Sequence, residues 1–85
     1  MDNKAEFIKR VAINGIAIEI DGYYNDDTPA GKYEWYDIFH RGICVNEGDP
    51  FEDMPTDEQL LVYAKNIQHE YADGVWTPIE NRELR

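Results

Sequence analysis

The sequence predicts an α+β domain: an antiparallel sheet of three or four strands with one C-terminal amphipathic helix packed on one face, in the order ββββα. Three observations carry this expectation. Asn14-Gly15 separates two runs rich in β-branched residues, the strongest short-range hairpin signal. Thr56 to Gly74 reads as a single capped helix. A helix that short is marginal alone, so its apolar stripe needs a sheet to rest on.

The first two strands are Phe7 to Ile13 and Ile16 to Tyr24. A two-residue loop at Asn14-Gly15 pairs Ile13 with Ile16, Val11 with Ile18 and Lys9 with Ile20. The opposite face then pairs Ala12 with Ala17 and Arg10 with Glu19. An apolar face backed by a cross-strand pair of opposite charges is what a correct register gives, and a one-residue slip would bury Glu19. Asn25 to Gly31 is a loop, punctuated by Pro29 and Gly31. Lys32 to Phe39 is the third strand, although its alternation is poor. Tyr33, Trp35 and Phe39 compete with Tyr36 and Ile38 for the apolar side. His40-Arg41-Gly42 reads as a three-residue turn with glycine left-handed, followed by a short strand from Ile43 to Val45. Asn46 to Pro55 is a loop pinned by Phe51 and Met54.

The helix has the most complete set of signals. Thr56 is an N-cap, and Gln59 completes a capping box. Pro55 blocks extension backwards and packs on Leu60. Asp57 and Glu58 occupy the first turn, where the helix dipole favours them. Leu60, Tyr63, Ala64, Ile67 and Tyr71 make one apolar stripe, with Val62, Asn66, His69 and Asp73 opposite. Gly74 ends the helix. Glu70 and Asp73 carry the unfavourable sign for a last turn. Beyond the helix, Val75, Trp76 and Ile79 are expected to fold back. Residues 1–5 and 80–85 are expected to be loose, leaving residues 1–85 as one small domain.

Composition narrows function by exclusion. The chain of 85 residues has 18 acidic and 8 basic residues, a net charge of −10. The imbalance is local. Residues 19–58 hold twelve acids against Lys32 and Arg41, whereas the flanks are nearly neutral. That argues against direct nucleic-acid binding and against an anionic membrane surface, and favours a basic protein surface as partner. No apolar run is long enough to span a bilayer, and MDNKAEF has no apolar signal region, so a cytoplasmic location is expected. The single cysteine, Cys44, excludes an internal disulfide and fits a reducing compartment.

Catalytic signals are sparse. His40 and Cys44 form an H-x3-C spacing, too few ligands for zinc and without a mark of an activated thiol. Neither DGYYNDD nor NEGDPFED matches a calcium-binding helix–loop–helix pattern. No phosphate-cradling glycine loop or nucleophile elbow occurs. The chain is therefore expected to be no enzyme, and to hold no cofactor and no metal. The alternatives are a small metal- or thiol-dependent enzyme using Cys44 and His40, or a dimeric accessory module pairing through a strand edge.

Six carboxylates, Glu47, Asp49, Glu52, Asp53, Asp57 and Glu58, fall within twelve residues that contain no base. Such a run is either a solvated rim or a recognition face. Tyr23, Tyr24, Tyr33, Trp35, Tyr36 and Phe39 lie in the same acidic middle. One covered sheet face hides only about half of a strand's side chains, so these rings either complete the core or stand partly exposed as anchors. The expected partner-binding residues are Asp26, Asp27, Trp35, Tyr36 and those six carboxylates. In size and charge the chain resembles small acidic inhibitors of phages and mobile elements, such as anti-CRISPR and anti-restriction proteins, and toxin-immunity proteins. That likeness implies a steric and electrostatic inhibitor, with carboxylates standing in for the phosphates of DNA. The chain is expected to be a monomer or homodimer.

Overall fold

A computed structural model of the chain describes residues 3–76. It has a four-stranded antiparallel sheet in the order β1-β2-β3-β4 and one C-terminal helix, the expected ββββα fold. The elements are β1 (Lys4–Ile13), β2 (Ile16–Tyr24), β3 (Trp35–His40), β4 (Ile43–Cys44) and α1 (Asp57–Ala72).

The β1–β2 hairpin has the register set by its turn: Ile13 faces Ile16, Val11 faces Ile18, Lys9 faces Ile20 and Arg10 faces Glu19. Asn14 and Gly15 both take positive φ, 52° and 79°, which matches the right-handed twist of the strands they join. A register shift between Phe7 and Lys9 marks a bulge at Ile8. Lys4 and Ala5, expected to be loose, instead extend β1 and pair with Tyr24 and Tyr23. The pairing partner decided this, since β2 is long enough to template them.

β3 begins at Trp35, three residues later than the sequence suggests. The poor alternation came from including residues outside the strand. Within Trp35–His40 the period of two is clean: Tyr36, Ile38 and His40 share one face, and Trp35, Asp37 and Phe39 the other. Tyr33 lies before the strand and covers Gly22. A Cβ on Gly22 would stand 2.5 Å from the Tyr33 ring and 2.8 Å from Ile8 Cδ1, so the ring occupies the space that a side chain would need. The Tyr33 hydroxyl donates to Glu6 Oε1 at 2.9 Å.

The second turn also differs from expectation. His40 is not a turn residue. It closes the ladder opposite Ile43, leaving a two-residue turn in which Arg41 (φ 53°) and Gly42 (φ 80°) are both left-handed. β4 ends at Cys44, and Val45 N–H still donates to the Ile38 carbonyl at 3.0 Å. The chain then leaves the ladder and rejoins it at Phe51, which exchanges two backbone hydrogen bonds with Tyr36 at 2.8 and 3.0 Å.

Asn46 bridges that excursion. Its side chain is buried, at 2% exposure. Its Oδ1 accepts from Ile38 N–H at 3.0 Å, and its Nδ2 donates to the Asp49 carbonyl at 3.2 Å. The amide thus satisfies backbone groups that a longer fourth strand would have paired.

α1 has the capping box complete, with Gln59 N–H donating to Thr56 Oγ1 and Thr56 N–H donating to Gln59 Oε1. It ends in a Schellman motif. Val75 N–H donates to the Glu70 carbonyl and Gly74 N–H to the Tyr71 carbonyl, with Gly74 at φ 81°. Leu60, Ala64 and Ile67 are buried against Ile16, Ile18, Ile20 and Ile38, and Trp76 folds back to close this core. Val62, Asn66, His69 and Asp73 are exposed, as the helical period requires. Glu70, of the wrong sign for a last turn, accepts the Trp76 indole N–H at 2.7 Å. The expected fold-back of Ile79 and looseness of 80–85 lie outside the described residues.

Candidate functional site

β2 shows the division of the sheet most clearly. Its burial alternates along the strand, with Ile16, Ile18, Ile20 and Gly22 buried and Ala17, Glu19, Asp21 and Tyr23 only partly so. The first set faces α1. The second set faces away, and among the described residues no helix or strand covers that side. It is an open face on which three successive cross-strand rungs lie: Tyr23 beside Trp35, Asp21 beside Asp37, and Glu19 beside Phe39.

Tyr23 and Trp35 stack at 4.8 Å between ring centroids, with planes 7° apart. Asp21 and Asp37 are directly opposite one another in register, an arrangement that destabilises a sheet unless a cation relieves it. The Asp21 carboxyl is pushed up from its ordinary value, first by partial burial and then by Glu19 and Asp37. Burial likewise raises the Tyr23 phenol, with Asp37 and Asp21 adding to it. On β1, Phe7 stands opposite Asp21 and is 58% exposed. Arg10 is placed opposite Glu19, one rung further along.

The acidic segments gather at one end of the sheet. The 25–34 loop leaves β2 and enters β3 at the end remote from the Asn14-Gly15 turn. The Tyr36–Phe51 bridge carries the 46–55 loop along β3 toward the same end. α1 starts there as well. Tyr63 donates to Asp49 Oδ2 at 3.1 Å and its ring meets Phe51, whereas later in the helix Gln68 reaches the Asn14 carbonyl.

Asp26, Asp27, Glu47, Asp49, Glu52, Asp53, Asp57 and Glu58 are all exposed. Asp26 lies 3.9 Å from the Lys4 ammonium, both groups well exposed, a pair of little energetic weight. Trp35 sits on the open face. Tyr36 lies on the other, helix-covered face, where it is half-buried and packs against the core. Asp21 and Asp37 are not among the partner-binding residues expected from the sequence, although strict alternation from Trp35 would have placed Asp37 and Phe39 beside Trp35 on one face.

His40 and Cys44 are differently engaged. His40 is buried at 5% exposure. Its Nδ1 lies 2.7 Å from the Ala17 carbonyl, which can only accept, so that nitrogen carries the proton. Nε2, 2.7 Å from the Tyr71 hydroxyl, then accepts from it. The ring meets Tyr71 and Trp76 edge-on, tying the sheet to the end of the helix. Cys44 pairs with Phe39 and donates its thiol to Asn46 Oδ1 at 3.3 Å. Burial raises the thiol's pKa against the lowering effect of the Asn46 contact, and Asp37 and Glu47 raise it further, which keeps it in its less nucleophilic form. Register places His40 and Cys44 on opposite faces of the sheet. Among the described residues no group of three or more His, Cys, Asp or Glu side chains is arranged to hold a metal ion. None of the described helices is long and apolar enough to cross a membrane.

The β1 edge carries Lys4, Lys9 and Arg10 and is kinked by its bulge, features that discourage edge-to-edge pairing. No protein-family model, no curated protein and no solved structure matches the chain.

Proposed function

We propose that this chain is a non-enzymatic binding protein that sets an acidic, aromatic surface against a basic face of a partner protein. The observation that carries the reading is the uncovered side of the sheet. There the Tyr23–Trp35 stack adjoins the Asp21–Asp37 pair, and the exposed carboxylates of the 25–34 and 46–58 segments lie at the same end. Rings supply contact area at low entropic cost, and carboxylates supply charge complementarity and fast encounter. Asp26, Asp27, Trp35, Glu47, Asp49, Glu52, Asp53, Asp57 and Glu58 remain the proposed contact residues, joined now by Asp21, Tyr23 and Asp37. Where the partner's basic face is itself a nucleic-acid site, the carboxylates would occupy the positions of phosphates and exclude the nucleic acid. That is inhibition of the anti-CRISPR, anti-restriction or immunity-protein kind.

The test is a partner complex captured at low ionic strength and then challenged. Binding should fall steeply between about 50 mM and about 500 mM salt, where the Debye length shrinks severalfold. Where the partner's face binds nucleic acid, duplex DNA should displace the chain, and a variant neutralised at Glu47, Asp49, Glu52, Asp53, Asp57 and Glu58 should lose the partner. Affinity independent of salt and of those six charges would refute the proposal.

A further inference from the structure

We infer that the open face receives an arginine side chain, its guanidinium between Asp21 and Asp37 and its aliphatic stem along the Tyr23–Trp35 stack. This rests on the proposal that a basic partner docks on the acidic surface, and it names the group that does so. Three features of the face point to arginine. The two carboxylates are neighbours across β2 and β3 and share one side of the sheet, so a planar donor can bridge both. Rings bound the pair along the strands, with Tyr23 and Trp35 on one side and Phe39 on the other, and Phe7 stands beside Asp21 on β1. An apolar wall of that kind suits a long stem carrying a weakly hydrated head.

Asp37 already accepts a hydrogen bond from the Tyr23 hydroxyl. Glu19 adds a third acid on the next rung, with Arg10 opposite it, and the Asn46 amide lies 3.4 Å from Asp37 Oδ1. The Asp21 carboxyl, pushed up first by burial and then by Glu19 and Asp37, gains from a bridging cation. A lysine ammonium, a compact and strongly hydrated point charge, cannot fork between two carboxylates in the same way.

Titration of the full chain with hexa-arginine and, separately, hexa-lysine tests this, read by the indole N–H signals of Trp35 and Trp76. At about 150 mM salt, hexa-arginine should bind about tenfold more tightly than hexa-lysine, because the forked head makes contacts that the ammonium lacks. Trp35 should shift, and Trp76, engaged with Glu70 in the core, should not. The double variant Asp21→Asn with Asp37→Asn should lose the arginine preference. Glu47→Gln with Glu52→Gln, which removes the same charge elsewhere, should keep it. Equal affinity for the two peptides, or a preference that survives the Asp21/Asp37 variant, overturns the arginine assignment. If both peptides bind equally and only the Glu47/Glu52 variant weakens them, the basic-partner proposal stands without the clamp. If neither peptide binds, both fall.

Discussion

The two faces of this sheet are made by the same strands and differ in almost every physical respect. On β2, Ile16, Ile18 and Ile20 are buried under α1, while Glu19, Asp21 and Tyr23, one residue out of step, stand on the side that no described element covers. The covered side follows the rule of apolar burial: nearly all its large groups are in the core, and its one buried imidazole has both nitrogens satisfied. The open side breaks that logic. It sets two carboxylates against one another among rings. Such a conflict is tolerable on a face that need not contribute stability.

Substitutions can sharpen the contrast. The largest effect belongs to the covered face. Ile18→Ala should cost about 2–5 kcal/mol, since a fully buried aliphatic group leaves a cavity behind. Trp35→Ala, on the other face, should cost about 0.5–1.5 kcal/mol for the lost stack, in addition to whatever area it half-buries. Urea unfolding of both variants ranks them, and a reversed order would break the comparison.

Asn46→Ala falls below Ile18→Ala, at about 1–3 kcal/mol, because the buried Ile38 N–H loses its acceptor. Amide exchange at Ile38 should accelerate in that variant more than at Ile20, and uniform acceleration would show that Asn46 has no local role.

The smallest effect has the opposite sign. Asp21→Asn should stabilise the fold by about 0.2–1 kcal/mol at neutral pH by removing one of two facing charges. The sign of its pH dependence follows from the raised carboxyl. The folded chain holds the Asp21 proton to higher pH than the unfolded chain does. Stability is therefore lost as pH rises above the ordinary value of 3.8, and the gain on substitution emerges there. Below that pH the two proteins should unfold alike. A gain that is independent of pH would show that charge is not the cause.

What could be read in the sequence was local. The Asn14-Gly15 hairpin carries its register within the turn, and the helix carries its own cap, stripe and stop. What could not be read depended on distant neighbours. Tyr33 looked like a strand residue because its ring is apolar, yet it serves the fold by covering Gly22 from a loop. His40 looked like a turn residue because Gly42 suggested a three-residue loop, yet Ala17 and Tyr71 make a buried site for it. Asn46 beside Glu47 and Gly48 gave no sign of burial, since the backbone groups it satisfies belong to β3. The acidic excess of residues 19–58 was plain in the sequence, but its division between an open face and one end of the sheet required the pairing of Asp21 with Asp37.

The central claim, that the uncovered face is an exposed aromatic surface in a negative field, is tested most directly by collisional quenching of Trp35 in a Trp76→Phe variant. Carboxylates concentrate cations and exclude anions, so caesium should quench Trp35 several-fold more efficiently than iodide, with the gap narrowing as inert salt is added. Equal quenching by the two ions, or a Trp35 that neither ion reaches, would contradict the account.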